Sequence, residues 1–298
     1  MPNIGKRKKV MFLYNPSSGK GKVEKNIDMI VSEITAKFGS CDVVRSKSAE
    51  HMIETVKSAC LEYDYLLFSG GDGTFDIVVN AIPDIDNLPI FGFLPGGSTN
   101  DMGYNLNISN NIKKGIHDLL NSKPRKYDVG YMGDNKFIYV SCIGAFTDIP
   151  IITPQEHKKK WGALAYGYYG IKSMFKTKLY KITINGIRYE TPLVIISNSK
   201  EVASFRINPF TKQDTNYYYA VIVNKGFFRG LFNVAYLFAF GVDQAIKRGK
   251  VHYEEAQIFS IDSETEDMWD FDGEFKKVTF PTSAGYSGRS IMVLSNRE

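Results

Sequence analysis

Cysteine is scarce in this chain. Its three, Cys41, Cys60 and Cys142, are widely spaced over 298 residues. They read as reduced thiols, not as a disulfide framework or a zinc site. Histidine is nearly as rare, and the four show no metal-ligand spacing. Long apolar runs are missing too. A membrane-spanning helix needs roughly 18 apolar residues; the most apolar stretch, Leu231–Val242, is shorter and contains Asn233. The opening MPNIGKRKKV is basic, but no long apolar segment follows it, so no signal peptide is predicted. Repeats, low-complexity tethers and long charge runs are absent. The net charge of +5 is too small to argue for nucleic acid and is compatible with weak attraction to anionic lipid or nucleotide. These absences predict a cytoplasmic protein with no nucleic-acid partner.

What is present is ordinary globular material, 43% hydrophobic and 23% charged. At about 150 residues per domain, the length suggests two domains. The first 120 or so residues alternate strands with helices. Val10–Tyr14, Asp42–Arg45, Tyr65–Ser69 and Ile90–Phe93 read as strands. Lys22–Lys37 reads as a helix, and a second starts near Ala49 with Ser48 as its N-cap. This alternation predicts a parallel, Rossmann-like α/β sheet over 1–127. After residue 128 strands dominate: Lys136–Cys142, a hairpin over Lys181–Glu190 turning at Asn185-Gly186, Leu193–Ser197, Tyr217–Val223, Val278–Phe280 and Ile291–Leu294. An antiparallel β-sandwich over 128–298 is predicted, with helical excursions near Trp161–Met174 and Gly230–Ile246. The stretch Gly230–Gly241 is apolar all round and is expected to be covered in the core.

Three Gly-rich loops leave predicted strands at one edge of the first sheet: NPSSGKG, GGDGT and LPGGSTND. Ligands in such sheets bind beyond the carboxyl ends of the strands. In Gly70–Thr74 the glycines let backbone N–H groups approach a phosphate, and the following FDIVVNAI reads as a helix whose N-terminus faces the same point. Asp72 there would repel phosphate unless a Mg²⁺ ion or a hydroxyl intervenes, which points to phosphoryl transfer. A tight turn before a helix is the plainer alternative. In Asn15–Lys22, Ser17, Ser18 and the Gly19 backbone could bind phosphate, with Lys20 or Lys22 neutralising it. In Leu94–Asp101, Ser98 and Thr99 offer hydroxyls, while Asn100 and Asp101 suit a helix cap. No P-loop, dinucleotide or protein-kinase motif set occurs.

The loops, in this order, resemble the diacylglycerol kinase catalytic-domain family of lipid kinases, which includes soluble bacterial diacylglycerol kinases and sphingosine kinases. The matching segments are Asn15-Pro16-Ser17-Ser18-Gly19, Gly70–Thr74 with Val78-Val79-Asn80, Pro95–Asp101, Asp128-Val129-Gly130 and Asp272-Gly273-Glu274. The resemblance implies an N-terminal α/β nucleotide domain and a C-terminal β-sandwich, with the last strand, about 286–298, returning to the first domain. It implies ATP and Mg²⁺ as cofactors and a membrane lipid as acceptor, most naturally diacylglycerol. By the same resemblance Asp272 is the general base and Asp72 part of the catalytic centre. ATP would meet Asn15, Pro16, Ser17, Ser18, Gly19, Ser46, Gly71, Asp72, Gly73, Thr74, Ser98 and Glu274. Asp72, Asp101 and Asp128 would form an aspartate–water–magnesium network. The family's D-D-G segment for a structural Mg²⁺ reads Asp214-Thr215-Asn216 here, keeping one carboxylate and losing the glycine. Asp76 replaces a common glutamate, and Tyr139 a common asparagine.

Asp272-Gly273 reads equally well as a plain hairpin turn. Lys6–Lys9, and Lys158–Lys160 beside Trp161, are candidate contacts to an anionic membrane. Exposed edges in the β-rich half would suit a homodimer. Two rival functions stay open: a GGDGT-type kinase acting on NAD or a sugar phosphate, and a silent nucleotide- or membrane-binding protein.

Overall fold

Strand β1 (Val10–Tyr14) is buried along its whole length because helices cover both faces of its sheet. It pairs in parallel with β2 (Asp42–Arg45) on one side and β3 (Tyr65–Gly70) on the other, and β4 (Ile90–Pro95) pairs in parallel with β3. Helices α1 (Ile27–Phe38), α2 (Ala49–Glu62) and α3 (Asp72–Ala81) connect them. The computed structural model describes residues 8–97, 100–145, 178–199, 201–202, 205–206, 216–226, 230–264 and 267–297. The expected helix at Trp161–Met174, the Lys158–Lys160 cluster, Ser98 and Asp214 lie outside them, as does the side chain of Asp101.

Most helix ends follow the sequence reading. Ser48 Oγ accepts the His51 N–H at 3.2 Å and caps α2, whose Met52, Val56 and Cys60 are buried. The helix expected from Lys22 instead begins at Ile27. A short 3₁₀ turn over Glu24–Asn26 precedes it, where Asn26 leaves helical geometry and bonds back to the Lys22 carbonyl. Two further helices, α4 (Asp101–Asn105) and α5 (Ile112–Asn121), follow β4.

Strand β5 (Lys123–Met132) runs unbroken from the first half into the second. There follow β6 (Asn135–Phe137), β7 (Val140–Gly144), β8 (Tyr180–Ile184), β9 (Ile187–Thr191), β10 (Leu193–Ser197), β11 (Glu201–Val202), β12 (Phe205–Arg206) and β13 (Tyr218–Val223). Helix α6 (Leu231–Lys247) leads to β14 (Val251–Ala256), β15 (Ile258–Ser263), β16 (Met268–Phe271), β17 (Glu274–Lys277) and β18 (Thr282–Ser295). Among the described residues β11 and β12 pair only with each other, and two larger sheets make up the rest of this half. One has the order β14-β13-β10-β7-β16-β17; the other is the continuation of the first sheet, through β18, β15, β8 and β9, with β5 and β6 branching from β18.

The two sheets close on a second core that includes Phe137, Val194, Ile196, Ile222, Phe259, Ile261, Trp269 and Phe271. Alternation along β10 shows why that strand is apolar throughout. Val194 and Ile196 enter this core, while Leu193 and Ile195 enter the larger one shared with α6 and the first half.

Three expected elements differ. Lys136–Cys142 is split, because Ile138 and Tyr139 turn their N–H groups to a side chain instead of a neighbouring strand. Val278–Phe280 is not a strand; Pro281, which has no N–H to give a ladder, follows it. Helix α6 is kinked at Gly241 (φ 79°, ψ 171°) and buried on one side only.

Strand β18 joins the halves. It pairs antiparallel with β5 along both strands, with an irregularity between Tyr286 and Ser290, and Val293 lies parallel to Phe91 of β4. Leu294 is buried where a Cβ added to Gly92 would come within 3.1 Å of it. Leu294→Ala is therefore expected to cost about 2–5 kcal/mol in urea unfolding.

Candidate active site

The three Gly-rich loops meet at the carboxyl ends of β1, β3 and β4. Gly96 and Gly97 both donate to the Gly70 carbonyl, at 2.7 and 2.9 Å, and Asn15 N–H donates to the Ser69 carbonyl at 3.0 Å. The approach is so close that side chains are excluded. A Cβ on Gly19 (φ +55°) would lie 1.9 Å from the Gly96 oxygen, and one on Gly97 would lie 2.5 Å from Gly71 Cα.

Helix α3 starts at this junction, with Gly71 at its N-cap and no side chain capping it. Its first-turn N–H groups and helix dipole thus face the loop cluster, an arrangement that favours an anion. Asn15 Oδ1 accepts the Ser17 N–H at 3.0 Å, which turns Ser17, Ser18 and Gly19 toward the same place. Asn15 Nδ2 lies 3.5 Å from Thr74 Oγ1. Ser46 is buried just past β2, its N–H on the Tyr14 carbonyl at 2.9 Å. Pro16 belongs to the same first loop.

Asp72 stitches the second loop to the third. Its Oδ2 accepts the Asn100 N–H at 2.9 Å and its Oδ1 the Met102 N–H at 3.3 Å. The carboxylate thereby caps α4 from across the loops. Asn100, expected to cap, instead takes a left-handed conformation (φ 58°), closes a ring with Gly97 and bonds to Asn110. Sequence reading missed this role of Asn100, since its signal is only that asparagine tolerates positive φ.

The second half presents the β16–β17 hairpin to this junction. Asp272 and Gly273 form its turn with φ of 52° and 100°. Asp272 is thus a hairpin residue, yet its carboxylate is only 1% exposed. Oδ2 accepts the Ile138 N–H at 2.6 Å, and Oδ1 accepts those of Tyr139 and Val140 at 3.0 and 2.9 Å. These are the groups released by the break between β6 and β7. Burial pushes the Asp272 carboxyl up to about 7, against the downward pull of the three N–H groups. Gly273 faces the Asp72 side chain: a Cβ added there would lie 3.7 Å from Asp72 Cβ.

Glu274 and Lys276, two residues apart on β17, both reach α3. Glu274 Oε1 lies 2.5 Å from where a Gly73 Cβ would be, so only glycine leaves it room. Its carboxyl is raised by burial and then by the Asp76 and Asp72 charges. Lys276 Nζ pairs with Asp76 Oδ1 at 2.8 Å, and the pair is largely buried. Burial raises the Asp76 carboxyl, opposed by Lys276 and by Asn80. The sequence reading did not single out Lys276; the available signal was its spacing from Glu274 on a strand. The far end of α3 is held as well. Lys136 Nζ donates to the Ile82 carbonyl at 3.1 Å, and Arg289 donates to that of Pro83.

The structure therefore brings together Asn15 to Gly19, Gly71 to Thr74, Asp272 and Glu274. Asp128 has different company. Its carboxylate, 2% exposed, accepts the Ser290 hydroxyl at 2.7 Å and the Asn216 N–H at 3.1 Å, with Lys126 at 3.9 Å. Tyr218 connects it loosely to the cleft. That buried phenol donates to the Asp128 carbonyl, and its pKa is raised by burial and then by the charges of Asp128 and Asp272. Among the described residues no group of three or more His, Cys, Asp or Glu could hold a metal ion.

A Gly-loop anion site at the strand ends, facing carboxylates from a β-sandwich, defines a phosphoryl-transfer cleft. Residues 9–132 match the family model of the diacylglycerol kinase catalytic domain. The chain is 29% identical over 275 residues to the diacylglycerol kinase of Staphylococcus saprophyticus, covering 90% of each chain. It is equally identical to that of Staphylococcus aureus strain RF122, covering 90% of this chain and 87% of the relative. A crystal structure of a Bacillus anthracis diacylglycerol kinase superposes with a TM-score of 0.76 at 22% identity over 97% of both chains. A second Bacillus anthracis structure gives 0.78 at 20% identity, over 99% of this chain and 98% of that one. The segment 9–132 thus matches a lipid-kinase catalytic domain, and the chain is similar to diacylglycerol kinases along nearly its whole length.

Two substitutions probe the site. Gly97→Ala forces the first helix turn away from the third loop, and a displacement near 1 Å is expected to lower turnover about 10²-fold with the circular dichroism spectrum unchanged. Lys276→Met leaves Asp76 buried and unpaired, an expected loss of about 3 kcal/mol. Adding Asp76→Asn should recover most of it in a double-mutant cycle read by urea unfolding.

Proposed function

We propose that this protein transfers the γ-phosphate of ATP to the hydroxyl of a membrane lipid, diacylglycerol giving phosphatidic acid. The observation that carries the reading is the placement of Asp272: a buried carboxylate, raised to about 7, held by three backbone N–H groups opposite the Asp72 loop. A general base serves best with a pKa near the working pH. The hydrogen bonds hold its orientation, and burial keeps it basic enough to accept a hydroxyl proton. The relatives' name supplies the acceptor.

In this reading the Gly-loop N–H groups and the α3 N-terminus bind the phosphates. Asp272 accepts the proton of the lipid hydroxyl as its oxygen forms a bond to the γ-phosphorus. The bond from the γ-phosphorus to the β,γ-bridging oxygen breaks, and ADP leaves. Mg²⁺ is commonly held by one or two carboxylates together with substrate phosphates, so the small donor set here fits it. Asp72, with Asp101 one residue past the Asn100 whose N–H Asp72 accepts, would hold the ion, which would neutralise charge on the phosphates. No described helix is long and apolar enough to cross a membrane, so the enzyme would meet its acceptor by peripheral association with the bilayer.

The test is ATP consumption with Mg²⁺ over a panel of lipid alcohols in mixed micelles, with NAD and fructose 6-phosphate alongside. Phosphatidic acid is the expected product, and Asp272→Asn should lower turnover about 10²–10⁴-fold. Turnover of a soluble acceptor alone, or retained activity in the folded Asn variant, would overturn the reading. In the wild type kcat/KM should rise with pH and level off above about 7, the value of Asp272. The sign for stability is opposite. A carboxyl raised from 3.8 to about 7 favours the folded chain most at low pH, and that contribution is lost as pH climbs through this window.

A further inference from the structure

Helix α6 keeps one side out of the core. Val234, Leu237, Val242 and Ala245 are buried, packed in the core that also holds residues of β13 and β14. The opposite side is also apolar: Phe232, Ala235, Tyr236, Ala239 and Phe240 recur at i, i+3, i+4, i+7 and i+8, with Tyr236 half-buried and packed against the core at the edge of the stripe. Phe232 and Phe240 are 59% and 61% exposed, and Ile246 beyond the kink is 43% exposed. Polar residues would be expected on a solvated face.

Two features select what lies against this stripe. The first is charge. The Tyr236 and Phe240 rings lie 4.6 Å apart, tilted by 38°, and the Lys250 ammonium sits 5.0 Å above the Tyr236 ring while donating to Asn233 Oδ1 at 3.1 Å. Lys247 and Arg248 are exposed at the same end. Asp243, the acid on this helix, is paired with Lys247, which leaves Arg248 and Lys250 as surplus positive charge. Aromatic rings with adjoining cations suit the boundary between headgroups and acyl chains. The second feature is size. The stripe is about 12 Å long and exposes on the order of 300 Å², well below the roughly 800 Å² per partner of a stable dimer. A shallow insertion needs no more than that.

We propose that the outward stripe of α6 is the surface by which this protein lies in an anionic lipid bilayer, its rings among the acyl chain ends nearest the headgroups and its cations on the phosphates. The proposal deepens the lipid-acceptor reading and rests on it for a reason to meet a membrane.

Sedimentation of the full chain with vesicles of phosphatidylglycerol and phosphatidylcholine tests it without ATP or turnover, so a failed kinase assay leaves the result readable. Phe232→Ser and Phe240→Ser should each weaken partition about tenfold, and Arg248→Glu several-fold, an effect that disappears in neutral vesicles. Phe240→Trp should keep binding and shift its emission to the blue when vesicles are added. That variant also covers the case in which the serine variants do not fold. Absence of vesicle binding by the wild type, unchanged partition in folded serine variants, or bound Phe240→Trp with no shift would each overturn the proposal. So would a change from dimer to monomer in the serine variants, which would assign the stripe to a second copy of the chain.

Discussion

The site depends on backbone meeting backbone. Strands β1, β3 and β4 lie side by side at about 4.8 Å, and each ends in a loop that must share the same small volume. Gly19 against Gly96, and Gly71 against Gly97, let the loops touch without side chains between them. Everything else at the cleft follows from that contact. The α3 N-terminus is held in place, the Asp72 carboxylate reaches the next loop, and N–H groups are left facing one point. A single methyl group at this junction would move the parts that must stay aligned.

The second half answers with charge. Four carboxylates, Asp72, Asp76, Asp272 and Glu274, gather around the start of α3, and each has its own compensation. Asp72 is held by backbone N–H groups of the third loop, Asp76 by Lys276, and Asp272 by the N–H groups of the broken strand. Glu274, which lies over Gly73, depends on Lys276 at longer range. Like charges at such density would ordinarily push the domains apart. Two of the compensating groups cross to the acid from a facing loop or domain, the third-loop N–H groups on Asp72 and Lys276 on Asp76, and so help to hold the cleft together; those of Asp272 and Glu274 come from their own half.

Much of this was legible in the sequence. Strand-loop-helix punctuation placed the three loops on one edge, and the Asn185-Gly186 hairpin fell where the turn chemistry required. The failures have physical causes. The break after Phe137 was hidden because Ile138 and Tyr139 look like any strand residues; their N–H groups are claimed by a carboxylate 133 or 134 positions away. Asp272 could not be told from an ordinary turn residue, since burial of its side chain depends on β7 and on no local pattern. Lys276 was silent for the same reason: its partner lies in the other domain. Helix α6 was read as wholly covered because composition cannot show that a sheet has room for only one of its faces.

The long strand β18 lies between β4 and β15 and so belongs to both halves. Its residues are made long after those of β4, which leaves the first domain with an unpaired strand edge while the sandwich is still being synthesised. Such an edge is a template for wrong pairing. The nucleotide-type domain is therefore not an independent folding unit in the order of its synthesis. Its sheet is completed by a strand delivered from the far end of the sandwich, so that the two domains share one hydrogen-bonded sheet in the finished molecule.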